Sequence, residues 1–224
     1  MASAQGPNPI RGPEDFAEVF NVARETIHRL EHYAALLAHW QKSTNLVASA
    51  TLPRLWSRHF ADSAQIRGLA PEARLWLDLG SGAGFPGLVV AILQTGQPGF
   101  RMHLVESNHK KCAFLAEVVR ETKAPVDIHA MRIEQLGESA RGLKPDVVSA
   151  RALAPLPRVF ELAQPFFGPQ TRGLFLKGRE AEAEIDAAKT AWDFDALLHP
   201  SLTSAGSQIV EVRALRPRDQ AATP

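Results

Sequence analysis

At 224 residues, 45% hydrophobic and 22% charged, the chain has the composition of an ordinary globular protein, long enough to bury a substantial core. A formal net charge of +1 selects no partner; a nucleic-acid enzyme with this balance would have to gather its basic residues on one face, and its hold on bare RNA would be modest. No apolar run approaches the roughly 20 residues of a membrane span and no secretory pattern opens the chain, so the cytoplasm is the expected location, while the single Cys112 excludes an internal disulfide and a cysteine-based zinc cluster.

Residues 1–12, MASAQGPNPIRG, lack periodicity and read as a flexible tail. From Pro13 the pattern turns helical. Phe16, Val19 and Phe20 mark one short apolar face, and Ile27, Leu30, Tyr33, Leu37 and Trp40 mark a longer one. After a break at KSTN a third helix is expected from Pro53, with Leu55, Trp56, Phe60 and Ile66 facing inward. Residues 13–70 thus read as a helical subdomain packed beside a second domain, 71–224, and too small to fold alone.

The stretch LWLDLGSGAGFPG, Leu75 to Gly87, organises that second domain. A short apolar run ends in four glycines, then Pro86 and the helix-forming GLVVAILQ, which reads as a buried strand, a tight turn and a helix N-terminus. Gly82, Gly84 and Gly87 satisfy G-x-G-x-x-G, and Glu106 closes the next apolar run, where a carboxylate can accept both hydroxyls of a ribose. Asp78 precedes the loop in a D-x-G-x-G-x-G pattern. A carboxylate there suits the ammonium of a methionine moiety and repels a pyrophosphate, so S-adenosylmethionine is the ligand suggested; Asp78 can equally cap the loop by accepting its N–H groups.

Strands follow at Arg101 to Glu106, Val126 to Ala130, Asp146 to Ala150 and Gly173 to Lys177, with helices between them, among them Lys110 to Glu121 carrying Phe114, Leu115 and Val118. Alternation of this kind implies right-handed crossovers and a mainly parallel sheet. Phe194 to His199 and Gln208 to Leu215 are joined only by PSLTSAGS, too short for a crossover helix, so the last strand must run antiparallel to its predecessor. The expected fold is α/β, with a seven-stranded, mostly parallel Rossmann-like sheet whose last strand is reversed. That arrangement resembles the class I S-adenosylmethionine-dependent methyltransferases.

Methyl transfer from a sulfonium is an in-line displacement in which positioning does much of the work. Cys112 lacks the neighbouring proline of a cytosine-carbon methyltransferase, and the fourth strand is followed by Ser149-Ala150-Arg151-Ala152 instead of an Asn/Asp-Pro-Pro-aromatic loop. Arg151 suits an acceptor with a ready lone pair, such as guanine N7, which needs no general base. DLGSGAGFPG, NHKKCAFL, MRIEQL, SARALAPL and LFLKG, preceded by WQKSTNL and RHFADS, occur in order along most of the chain. With these motifs the sequence resembles the RsmG (GidB) family of small-subunit rRNA guanine-N7 methyltransferases.

The resemblance implies that Gly80 and Phe85 line the methionine and ribose side of the cofactor, that Ile133 and Glu134 border its adenine, and that Arg151 reaches the cofactor or the incoming base. Glu106 stands where the family usually has Asp, Val47 where it commonly has Thr, and Ala150 where Ser is frequent. Lys177, at a strand end, would meet an RNA phosphate or guanine O6, or be a solvated lysine. Lys110 and Lys111 open a helix against its dipole, a placement that favours a functional reason, with Lys110 a candidate to contact substrate RNA; the alternative is an exposed, solvated pair. Arg58, His59 and Asp62 share one helical face and can form a polar cluster; Arg58 and His59 are candidates to contact substrate RNA, His59 alternatively being a hydrogen-bonded structural residue, Asn45 either contacts substrate RNA or stabilises its turn, and Trp40 and Trp56 are core anchors. The expected activity is transfer of methyl from S-adenosylmethionine, with S-adenosylhomocysteine as product, to a guanosine of 16S rRNA. The substrate would be the small ribosomal subunit or an assembly intermediate and the enzyme a monomer, with neither metal nor membrane involved. The rivals are a small-molecule methyltransferase, with the N-terminal helices as a lid, and a nucleotide-binding regulatory module without chemistry.

Overall fold

The computed structural model describes residues 10–139 and 142–218. Nine residues of the expected tail lie outside them; Ile10, near its end, is buried. Helix α1 (Pro13–Phe20) buries Phe16 and α2 (Arg24–Trp40) buries Ile27, Leu30, Tyr33 and Leu37. Val19 departs from expectation. In a two-turn helix the Phe16/Phe20 pair at i,i+4 takes the inner face, and Val19 is left 47% exposed.

The third helix also departs from the simple pattern. It is segmented: a 3₁₀ stretch Ser49–Arg54 containing Pro53, a π-helical turn Trp56–Ala61, the short α3 (Asp62–Ala64) and a 3₁₀ stretch Gln65–Leu69. Proline has no N–H to donate to the ladder, and π turns re-aim side chains that a regular helix would place elsewhere. Phe60 and Ile66 are fully buried, whereas Leu55 and Trp56 are partly buried against the core. Trp40 is likewise partly buried, and its indole Nε1 donates to Glu117 at 2.7 Å.

Seven strands form one sheet in the order β3-β2-β1-β4-β5-β7-β6. They are β1 (Leu75–Leu79), β2 (Arg101–Val105), β3 (Val126–His129), β4 (Val147–Arg151), β5 (Arg172–Lys177), β6 (Trp192–Pro200) and β7 (Gln208–Pro217). The first five pair in parallel, and β7 inserts between β5 and β6, antiparallel to both. The inner strands are buried on both faces, which is why β1 reads as a continuous apolar run instead of an alternating one.

Alternate residues nevertheless serve two cores. Trp76, Met102, Leu104, Val147 and Leu174 join the cluster that holds α1 and α2 together with α4 (Gly87–Leu93) and α5 (His109–Thr122). Leu77, Leu79, Val105, Val148 and Phe175 face α6 (Ile133–Ser139), α7 (Leu156–Ala163) and α8 (Ala181–Ala188). The N-terminal helices therefore share a core with the sheet and do not close one of their own. Strand order reverses between β1 and β4, which opens a crevice at their C-terminal ends.

Candidate functional site

The loop between β1 and α4 is tied down by its backbone. Ser81 N–H donates to the Val105 carbonyl at 2.9 Å and Gly84 N–H to that of Ser81 at 2.7 Å. Glu106 braces it from β2: one carboxylate oxygen accepts from Gly82 N–H at 2.9 Å and the other from Asn108 N–H at 2.7 Å. The Tyr33 hydroxyl donates to the Ala83 carbonyl. Tyr33 read only as a core residue in the sequence, yet a buried phenol needs a partner, and that need was the available signal.

The glycines do different jobs. A Cβ on Gly84 would lie 2.7 Å from the Tyr33 hydroxyl and 2.8 Å from Leu88 Cβ, and one on Gly87 would lie 2.7 Å from Asp78 Cβ, so both serve close packing. Gly82, at φ +57°, would meet nothing nearer than the Gly80 carbonyl at 3.9 Å. Its flank opens onto a cavity of about 540 Å³ whose lining includes Gly80, Gly82, Phe85, Glu106, Ile133, Glu134 and Arg151. Seven of the residues singled out in the sequence therefore meet in one place.

Others do not. Gly84 is packed away and Asn45 is exposed outside the cavity, which its neighbours Leu46 and Val47 line instead. Lys111 reaches the wall and Lys110 does not, while the backbone N–H groups of both are capped by Asn108 Oδ1, at 3.2 and 3.0 Å. Asp78 is fully buried behind the loop and does not line the cavity. Its Oδ1 accepts from Ser149 Oγ at 2.7 Å, while Oδ2 is buried without a hydrogen-bond partner. Burial raises its pKa to about 6, against the lowering effect of Ser149, Ser81, the Gly87 N–H and Arg151. Glu134 carries ion pairs to Arg158 at 2.8 Å and Arg132 at 3.8 Å on the cavity rim.

Arg151, at the tip of β4, gathers the polar face of the segmented helix. Its guanidinium pairs with Asp62 at 3.2 Å, donates to the Arg58 carbonyl at 3.0 Å and to His59 Nδ1 at 2.7 Å, and lies 4.9 Å from the centroid of the Phe85 ring. The hydrogen bonds assign the histidine tautomer. Thr51 Oγ1 donates to the Ala48 carbonyl at 2.6 Å, so its contact with His59 Nε2 at 2.8 Å makes Nε2 the donor and leaves Nδ1 as the acceptor for Arg151. Burial, then Arg151 and Arg58, lower the His59 pKa to about 3, in keeping with that neutral ring. Arg58 itself contributes only its carbonyl to Arg151; its side chain lines the neighbouring cavity.

That second cavity, of about 550 Å³, shares Arg151, Ala152, Leu153 and Ala154 with the first. Ala152 holds φ +52°, a left-handed conformation uncommon for a residue with a Cβ, at the crest between the two. Lys177 enters from β5 but is not a solvated lysine. At 10% side-chain exposure its Nζ donates to Glu184 Oε2 and to the Ala154 carbonyl, each at 2.7 Å. Asp62 Oδ1 accepts from Gln65 and from Thr203 in the β6–β7 loop, and Gln65 Oε1 accepts from Leu202 N–H at 2.8 Å. Thr51, Gln65 and Glu184 carried no sequence motif, and only their placement reveals them.

Known proteins resemble this chain in sequence and in fold. The model of the family GidB, described as rRNA small subunit methyltransferase G, matches residues 26–213. Ribosomal RNA small subunit methyltransferase G of Parvibaculum lavamentivorans is 53% identical over 215 residues, covering 96% of this chain and 94% of that protein. Its counterpart in Methylorubrum populi is 50% identical over 195 residues, 87% and 92% of the two chains. Among solved structures, cofactor-bound Rv0187 from MTB aligns with a TM-score of 0.60 at 16% identity, over 93% of this chain and 98% of the other. A variant of MtNAS in complex with S-adenosylmethionine aligns at 0.53 and 15%, over 89% and 82%. At such identities the structural matches speak for the fold, and the sequence matches carry the assignment. The chain belongs to the GidB family, rRNA small subunit methyltransferase G.

Proposed function

We propose that the chain transfers the methyl group of S-adenosylmethionine to N7 of a guanosine in 16S rRNA, within the small ribosomal subunit or an intermediate of its assembly. The donor, when bound, supplies a methyl carbon already activated on a sulfonium and leaves as S-adenosylhomocysteine. Glu106, fixed by two N–H groups, is oriented for the ribose hydroxyls, and Ile133 and Glu134 flank the adenine. The methionine end would lie on the turn from Gly80 to Phe85, with the buried, unpartnered Oδ2 of Asp78 behind that turn as a negative charge whose field favours its ammonium. Guanine N7 carries no proton, so no base is required. Neither nitrogen of His59 is free to act as one. Arg151 stands between the two cavities, its charge balanced by Asp62, and can position donor and acceptor together.

The observation that carries this reading is the open flank of Gly82 on a cavity that shares Arg151, Ala152, Leu153 and Ala154 with a second one of similar volume. A ligand on the first places its reactive end toward an acceptor in the second. The test is incubation of purified protein and labelled S-adenosylmethionine with small subunits and with protein-free rRNA from cells lacking the gene, followed by mapping of the modified nucleotide. Label at a single guanosine N7 is the expected result. Unmodified RNA together with a methylated metabolite would instead identify a small-molecule enzyme, and donor binding without turnover a regulatory module.

A further inference from the structure

The second cavity is the least explained part of the molecule, and a role for it in holding the acceptor base rests on the guanine-N7 activity proposed for this chain. A-form RNA has a deep, narrow major groove, and N7 lies on that edge, so chemistry at N7 needs a base unpaired or turned out of the helix. Such a base requires a receptacle. The cavity of about 550 Å³ falls within the roughly 300–1,000 Å³ of small-ligand sites, and Leu153, Pro155, Leu176 and Ile209 give it apolar walls.

Its polar end is the Lys177–Glu184 pair. Glu184 Oε2 is saturated, accepting from Lys177 Nζ at 2.7 Å and from Leu156 N–H at 2.6 Å. Oε1 accepts from no donor among the described residues and is not among the buried unpartnered atoms, so it stays accessible. Lys177 uses two of its three ammonium protons, on Glu184 and the Ala154 carbonyl, and Ala154 lines both cavities. One donor and one acceptor are thus left side by side, held by a strand and a helix, a single step from the crest at Ala152.

We propose that this pair reads the acceptor base as guanine: the Lys177 ammonium donates to O6 and the free oxygen of Glu184 accepts from N1–H. Guanine offers an acceptor beside a donor along that edge. Adenine offers the reverse, an amino donor against the ammonium and a lone pair against the carboxylate, so both contacts turn repulsive. A site built to hydrogen-bond its substrate rejects an analogue that leaves buried polar groups unmatched, by about 100-fold or more.

The experiment uses the full-length protein, S-adenosylmethionine and semi-synthetic 16S rRNA carrying guanosine, inosine or 2-aminopurine riboside at the mapped nucleotide. Inosine keeps O6 and N1–H without the 2-amino group; 2-aminopurine keeps the 2-amino group and N7 without O6 and N1–H. Guanosine and inosine should be methylated within about 3-fold of each other and 2-aminopurine about 100-fold more slowly in kcat/KM. Lys177→Met and Glu184→Gln should bring the guanosine to 2-aminopurine ratio to within about 10-fold, with affinity for S-adenosylmethionine, measured by calorimetry, unchanged. A salt bridge that only supports the fold would lower activity on every base alike. Equal rates on 2-aminopurine with the wild-type protein, or an unchanged ratio in folded, cofactor-binding variants, overturns the proposal. Failure of the wild type on guanosine itself strikes the guanine-N7 reading instead.

Discussion

The cavity over Gly82 is built around a bare backbone turn, and the one beside Lys177 takes its polar end from paired side chains, although Arg151, Ala152, Leu153 and Ala154 border both. The first is shaped by the bare turn after β1, with Glu106 held in place by two main-chain N–H groups, one on each carboxylate oxygen. The second draws on the segmented helix, the end of β5, α8 and the β6–β7 loop, joined through Asp62, Gln65, Lys177 and Glu184. Bare backbone admits a ligand without choosing among side-chain partners. A wall of oriented donors and acceptors discriminates.

The largest expected break lies on the backbone side. Gly82→Val puts a β-branched side chain at positive φ and into the open flank, and should cost at least about 100-fold in affinity for S-adenosylmethionine by calorimetry. Gly87→Ala is the contrast. Its Cβ strikes Leu104 at 2.6 Å and Asp78 at 2.7 Å, so the loss should appear as about 1–3 kcal/mol in urea unfolding. Undiminished affinity in the valine variant would place the donor elsewhere.

On the shared wall, Arg151→Lys keeps the charge but replaces a planar fork that meets Asp62, the Arg58 carbonyl and His59 at once. A fall in kcat of about 10–100-fold with little change in cofactor affinity is expected, about 1.4–2.8 kcal/mol on the barrier. An unaltered kcat would remove Arg151 from the positioning role.

Asp78→Asn tests the acid behind the loop through pH. A carboxyl raised from 3.8 to about 6 in the folded state contributes stability that is present below about pH 4 and is lost as pH rises through 6, roughly 3 kcal/mol in all. His59, lowered from 6.5 to about 3, works in the opposite sense: its contribution is present above pH 6.5 and is lost as pH falls through 3. The two slopes oppose each other between pH 4 and 6. The difference between wild type and the Asn variant, followed by thermal unfolding at pH 4, 5.5 and 7, isolates Asp78. A pH-independent difference would show that its pKa is not raised.

The smallest effect is expected from Thr51→Val. It removes the acceptor for His59 Nε2–H and leaves that donor unpaired in the ring that holds Arg151, at a cost of about 1 kcal/mol and a few-fold in kcat.

Local pattern alone determined most of the scaffold. The strand, glycine turn and helix at Leu75 to Gly87, the β-strand positions to within about two residues, and the reversal of the last strand all follow from periodicity, turn chemistry and a loop too short for a crossover. Each is decided by residues close in sequence, where steric and hydrogen-bonding preferences act directly. Tertiary structure alone decided that Asp78 turns away from the cavity onto Ser149, that Lys177 is held by Glu184, and that Arg151 is gripped by His59 and Asp62 some ninety positions earlier. Those contacts depend on how a segmented helix docks against the strand tips, and so on packing between distant parts of the chain, which no local spacing of residues encodes.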